Sequence, residues 1–178
     1  MTTKCLLRAA MVAAATLMLP AFAAAQDTSS GTLTVTATIE SSIGLTFEND
    51  AAGVSMSGAG TNAATMALST ISAYNTISTS GVTRTLAASS FTVSSPFGVK
   101  VVKANSASAN YTLSAALSSA DTTNTWTINS TALTTTSQSL GSSYSYGSAV
   151  AHTMSLTVPF TATTGAISKV LNFTAVAN

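Results

Sequence analysis

Residues 32–47 open with a strict alternation: Leu33, Val35, Ala37 and Ile39 are apolar and every position between them is threonine. A two-residue period places one set of side chains on one side of a pleated backbone, so this stretch reads as a β-strand with one dry face. Similar runs predict strands at residues 91–94, 97–103, 111–117, 125–133, 153–160 and 166–177. Met66 and Leu68 alternate within residues 63–73, which read as a further strand instead of a helix. Threonine, stiff at χ1, favours the pleated conformation throughout. Between the strands lie turn formers: Glu48, Asn49 and Asp50, a glycine-rich stretch at 53–62, and Ser/Asn/Gly clusters at 78–81, 104–110, 118–124 and 141–148. Residues 134–148 read as a long exposed loop or a frayed strand pair. Short strands at this spacing predict an all-β sandwich or barrel.

The N-terminus has a different pattern. Lys4 and Arg8 precede an apolar run from Ala9 to Leu19, followed by Pro20 and small residues to Ala25. This is the tripartite form of a secretory signal peptide spanning residues 1–25. The run is short for a membrane span and no second one follows, so no membrane span is expected in the mature chain. Cleavage would leave 153 residues, enough for one domain with a core, and would shift the formal charge from +1 to −1 by removing both basic groups. It would also remove Cys5, the one cysteine, so no disulfide could staple the exported chain.

Composition narrows the function. Only 6% of residues are charged, against about a quarter in ordinary soluble domains, and mean hydropathy is +0.42. Little charge repulsion keeps copies apart, and no basic stripe exists for nucleic acid. Aromatics at 6% supply no girdles for an outer-membrane barrel.

Candidate chemistry is sparse. His152 is the sole histidine, so a multi-histidine metal site and a serine triad both lack partners, and His152 reads as a residue at the edge of a strand. No catalytic, metal or cofactor site is expected. Glu48, Asn49, Asp50 and Asp121 read as turn chemistry, and Trp126 as a core filler. Asn110, Asn129 and Asn172 open N-glycosylation triplets of the kind that a Ser/Thr-rich chain produces by chance.

At the other end, Pro159 marks a strand edge and Gly165 a turn, after which Ile167, Leu171, Phe173 and Ala175 share one parity, with Lys169 the exception. A terminal strand with an inward dry face, beside an unpaired groove, is a natural receptor for another strand.

The segment from Leu33 through Val35, Ala37, Ile39 and Glu40 to Ile43 and Leu45 resembles the mature N-terminus of class 5 fimbrial major subunits of the alternate chaperone-usher pathway. The ending, with Gly165, Ile167, Leu171 and Phe173, resembles the final strand of such cysteine-free pilins. Ser41 stands where the family has proline, so residues 32–47 also read as one long strand of the chain's own sandwich. The resemblance implies an incomplete immunoglobulin-like antiparallel β-sandwich (residues 41–178) preceded by an N-terminal extension (26–40), completed by donor-strand exchange. It implies Leu33, Val35, Ala37 and Ile39 as donor residues, with Ile167, Leu171, Phe173 and Ala175 along the acceptor groove. The implied partners are copies of the chain itself, a periplasmic chaperone and an outer-membrane usher, and the implied destination is a surface filament reached through the periplasm. The competing reading is a monomeric secreted sandwich that binds a carbohydrate or surface ligand through Tyr144 and Tyr146. A secreted hydrolase ranks third, because no nucleophile, base and orienter come together.

Overall fold

The computed structural model describes residues 30–178, so the expected signal peptide lies outside the described residues. The chain divides into two compact units, Met1–Ala37 and Thr38–Asn178. In the first, the described residues 30–37 belong to no strand. The second is all-β: among the described residues there is no helix, and so none long and apolar enough to cross a membrane.

Nine strands form two antiparallel sheets: β1 (Ser42–Glu48), β2 (Thr83–Leu86), β3 (Ser90–Ala104), β4 (Asn110–Leu117), β5 (Thr125–Ile128), β6 (Thr131–Ala132), β7 (Gln138–Ser145), β8 (Ala149–Pro159) and β9 (Leu171–Ala177). The larger sheet runs β1-β3-β8-β5-β6, with β2 also paired to β3; the smaller runs β7-β4-β9. Their inward faces share one core, the arrangement of a β-sandwich. Alternation builds that core: β3 contributes Phe91, Val93, Phe97, Val99 and Val101, β4 contributes Tyr111, Leu113, Ala115 and Leu117, and β8 contributes Met154, Leu156 and Val158. Each Val, Leu, Phe or Met among these, fully buried, stabilises the fold by about 1.5–3 kcal/mol.

Several expected boundaries move, each for a local reason. Residues 91–94 and 97–103 are one strand running through Pro96. On that side β3 pairs with β2 up to Ser94 and with β1 from Gly98, so Pro96 sits in the gap, where no ladder donor is required. The gap is closed by Gly53, where an added Cβ would lie 2.0 Å from the Pro96 carbonyl oxygen. The long strand over residues 32–47 is not formed. Its pairing starts at Ser42, opposite Ala104, because β3 ends there and Asn105 turns away with φ 54°. Residues 125–133 split into β5 and β6 around Asn129 and Ser130, both at positive φ. Residues 134–148 hold β7, an edge strand whose register on β4 shifts twice. The strand expected at 63–73 reduces to a single bridge, Thr65 with Ser57. That expected at 166–177 begins only at Leu171, because residues 166–170 have no strand beside them.

His152 lies inside β8 and is 1% exposed, not at a strand edge. Asn129 Oδ1 accepts from the Thr153 N–H at 2.8 Å, which turns the Asn129 amide nitrogen toward His152 Nδ1, also at 2.8 Å. The imidazole proton therefore resides on Nε2, which has no partner among the described residues. Burial pushes the His152 pKa down.

Candidate strand-acceptor groove

The end strand of each sheet borders one groove of about 1540 Å³, lined by Ile43 to Phe47 of β1, residues 60–71, and residues 165–173 leading into β9. Its floor is core: Met56, Phe97, Trp126, Met154 and Leu156. Phe47 and Phe173 meet across it with ring centroids 5.1 Å apart and nearly perpendicular planes, and Phe173 also meets Phe97 at 5.9 Å. These edge-to-face contacts link β1, β3 and β9.

Both bordering strands turn unpaired backbone outward. Phe47 donates to the Thr61 carbonyl at 2.8 Å and accepts from the Gly60 N–H at 2.7 Å, so its polar groups point away from β3. The antiparallel alternation turns the N–H and C=O of Leu45 and Ile43 the same way, and neither has a backbone partner among the described residues. At the two ends of β9, the Val170 carbonyl accepts from the Ser118 N–H just past β4 at 2.9 Å and the Asn178 N–H donates to the Asn110 carbonyl at 3.1 Å, which sets the opposite parity free: Leu171, Phe173 and Ala175 point their backbone groups off the sheet edge. The two edges share a design, in that the residues with free backbone groups also turn half-buried side chains inward.

The groove residues expected from sequence fall as follows. Leu171, Phe173 and Ala175 lie on β9 and pack against the core, and Leu171 and Phe173 line the groove. Ile167 lines it too, but from the unpaired approach to β9, and is 40% exposed. Lys169 breaks the parity because its ammonium reaches outward to Ser119 Oγ and the Ala120 carbonyl, at 3.3 and 3.1 Å. Of the expected donor residues, Leu33 is 87%, Val35 80% and Ile39 77% exposed, and Ala37 is exposed as well. Sequence reasoning missed Ile43, Leu45 and Trp126 as groove residues.

The floor is fixed from below. The Trp126 indole N–H donates to Asp121 Oδ2 at 2.8 Å, while Asp121 Oδ1 accepts from the backbone N–H of Thr123 and Asn124 at 3.0 and 2.9 Å. Desolvation opposes ionisation of Asp121, but these hydrogen bonds outweigh it and hold the carboxyl well below the usual carboxylate range. The Glu48 to Asp50 turn is likewise built from side-chain acceptors: Asp50 Oδ1 takes the Ala52 N–H and Asn49 Oδ1 the Met56 N–H.

Tyr144 and Tyr146, expected as ligand platforms in the competing reading, turn inward. Both rings lie tilted against buried Tyr111, with centroids 5.6 and 5.2 Å away, and their hydroxyls donate to the carbonyls of Leu140 and Asn110. Among the described residues no group of three or more His, Cys, Asp or Glu side chains could hold a metal ion. Asn172 of the three N-glycosylation triplets is exposed on the outer face of β9, whereas Asn129 is tied to His152. Compared with known proteins, the chain matches no family model, no curated protein and no solved structure.

Proposed function

We propose that this chain is a structural subunit of a surface filament, and that it polymerises when Leu33, Val35, Ala37 and Ile39 of one copy enter the groove between β1 and β9 of the next. In this reading the sandwich is an immunoglobulin-like fold lacking one strand. The observation that carries it is that two sheet edges with unpaired backbone, at Ile43 and Leu45 of β1 and at Leu171, Phe173 and Ala175 of β9, border one groove over core side chains, in a chain that also displays an exposed, alternating apolar segment. An entering strand would bury its apolar parity on the floor and offer its backbone to both edges. Full burial of Leu33, Val35 and Ile39 contributes about 5–9 kcal/mol before any ladder bond is counted. The resemblance of the two chain ends to class 5 pilins agrees with this reading. It adds a periplasmic chaperone as temporary occupant and an outer-membrane usher as the exchange platform.

The test is expression of the full chain to the periplasm, with size-exclusion chromatography and electron microscopy of the product. Val35→Asp should abolish filaments, because a carboxylate buried without a partner costs several kcal/mol, while the sandwich keeps its own thermal transition. Filaments from Val35→Asp at the yield of the unmodified chain would overturn the proposal.

A further inference from the structure

We infer that residues 66–71 are a placeholder strap in the groove, displaced by an incoming strand, an inference that rests on the strand-acceptor reading above. Ala64, Met66 and Leu68 are half-buried against the core while Thr65 and Ala67 face out, the same alternation as in the donor segment. The strap's backbone does not follow suit. Thr65 exchanges both its backbone hydrogen bonds with Ser57, at 2.8 and 3.0 Å, but from Met66 to Ile71 no backbone group has a hydrogen-bond partner among the described residues. Ser69 sits at φ 56°, a conformation few side chains adopt. Order returns at Ser72, whose carbonyl is gripped with that of Asn75 by the Arg84 guanidinium at 2.7 and 2.6 Å.

The strap is thus pinned at both ends and held between them by apolar contact alone. On the same groove Ile43 and Leu45 of β1 and Leu171, Phe173 and Ala175 of β9 have no backbone partner for their outward N–H and C=O groups among the described residues. A strand with equivalent side chains that also pairs its backbone with those edges makes every kind of contact the strap makes, and a ladder besides. The strap therefore shields the floor in an unpartnered copy and yields to a strand of the correct pattern. Because the binding-competent state must first be vacated, the strap lowers the apparent affinity and slows capture.

The inference separates from the acceptor reading in one labelling experiment. In the full chain carrying Cys5→Ser and Val35→Asp, so that no copy supplies a competing strand, Leu68→Cys is reacted with a maleimide with and without a synthetic peptide of residues 32–41. Peptide binding is followed by the fluorescence of Trp126, the only tryptophan. Displacement raises the labelling rate about tenfold or more at saturating peptide. A bound peptide with an unchanged or slower labelling rate overturns the strap inference and leaves the acceptor reading standing. No binding at millimolar peptide overturns both. Should Leu68→Cys fail to fold, Met66→Cys reports the same step. Independently, Met66→Ser with Leu68→Ser should accelerate peptide capture, and an unaltered on-rate there also overturns the strap.

Discussion

Asp121→Ala removes the side chain that ties Trp126 of the groove floor to the turn beneath it. Trp126 is 7% exposed, so its indole N–H would lose its protein partner, at about 1–2 kcal/mol. The Thr123 and Asn124 N–H groups lie nearer to solvent and add about 1 kcal/mol between them. The expected loss is therefore about 2–3 kcal/mol, a large share of a stability in the usual range of about 5–15 kcal/mol. Urea denaturation followed by Trp126 fluorescence measures it directly, and the native emission should shift as the indole reorients. Asp121→Asn should recover the turn contribution but not the indole one, since an amide nitrogen can face the indole N–H. The pH dependence has a definite sign. The folded carboxyl lies below its unfolded value of 3.8, so its contribution is complete above that value and is lost as pH falls below it. The acid limb of the stability curve should be shallower in Asp121→Ala. A loss under about 0.5 kcal/mol with unchanged emission would refute this account of the floor.

Two further outcomes test the frame that holds the groove. His152 is neutral in the fold because burial depresses its pKa, whereas the unfolded imidazole protonates below 6.5; stability should hold above that pH and fall below it, by up to about 1.4 kcal/mol per pH unit. Urea midpoints between pH 7.5 and 5 should show this slope, and an equal slope in His152→Gln would count against it. Gly53→Ala forces a methyl onto the Pro96 carbonyl and should cost about 1–3 kcal/mol. Gly44→Ala, where the new Cβ meets Val102 at an ordinary 3.4 Å, should cost little, and equal thermal shifts in the two variants would remove the gap argument.

What the sequence reveals follows from how local each signal is. β4 is readable almost residue by residue, because Tyr111, Leu113, Ala115 and Leu117 alternate without interruption and face a dry core. β2 is invisible, being four residues long with its one large apolar residue, Leu86, exposed. β7 hides among serine and glycine because its pairing depends on β4 and on bulges instead of on its own pattern. Leu171, Phe173 and Ala175 are legible as an inward parity, and the structure places all three on an edge strand. Ile43 and Leu45 are not legible as groove residues, since their parity continues that of Leu33 to Ile39 and only the end of β3 at Ala104 separates the two segments. Trp126 reads correctly as core, but its place on the groove floor depends on how β1 and the approach to β9 are set apart in space, which no local pattern encodes. Met66 and Leu68 show the opposite failure: a strand pattern is present, and no ladder forms.

The remaining sheet margins bear on the geometry of growth. β2, paired on one side alone, is four residues long, β6, at one end of the larger sheet, is two residues long, and β7, at the outer end of the smaller one, is bulged, with Ser143 at φ 72°. Short or distorted edges accept strands poorly. On the strand-exchange reading each copy then has a valence of two, one plug and one socket, and they are unlike. Such a unit can neither branch nor close face to face with itself. It adds only in single file, and every chain of copies has two distinguishable ends.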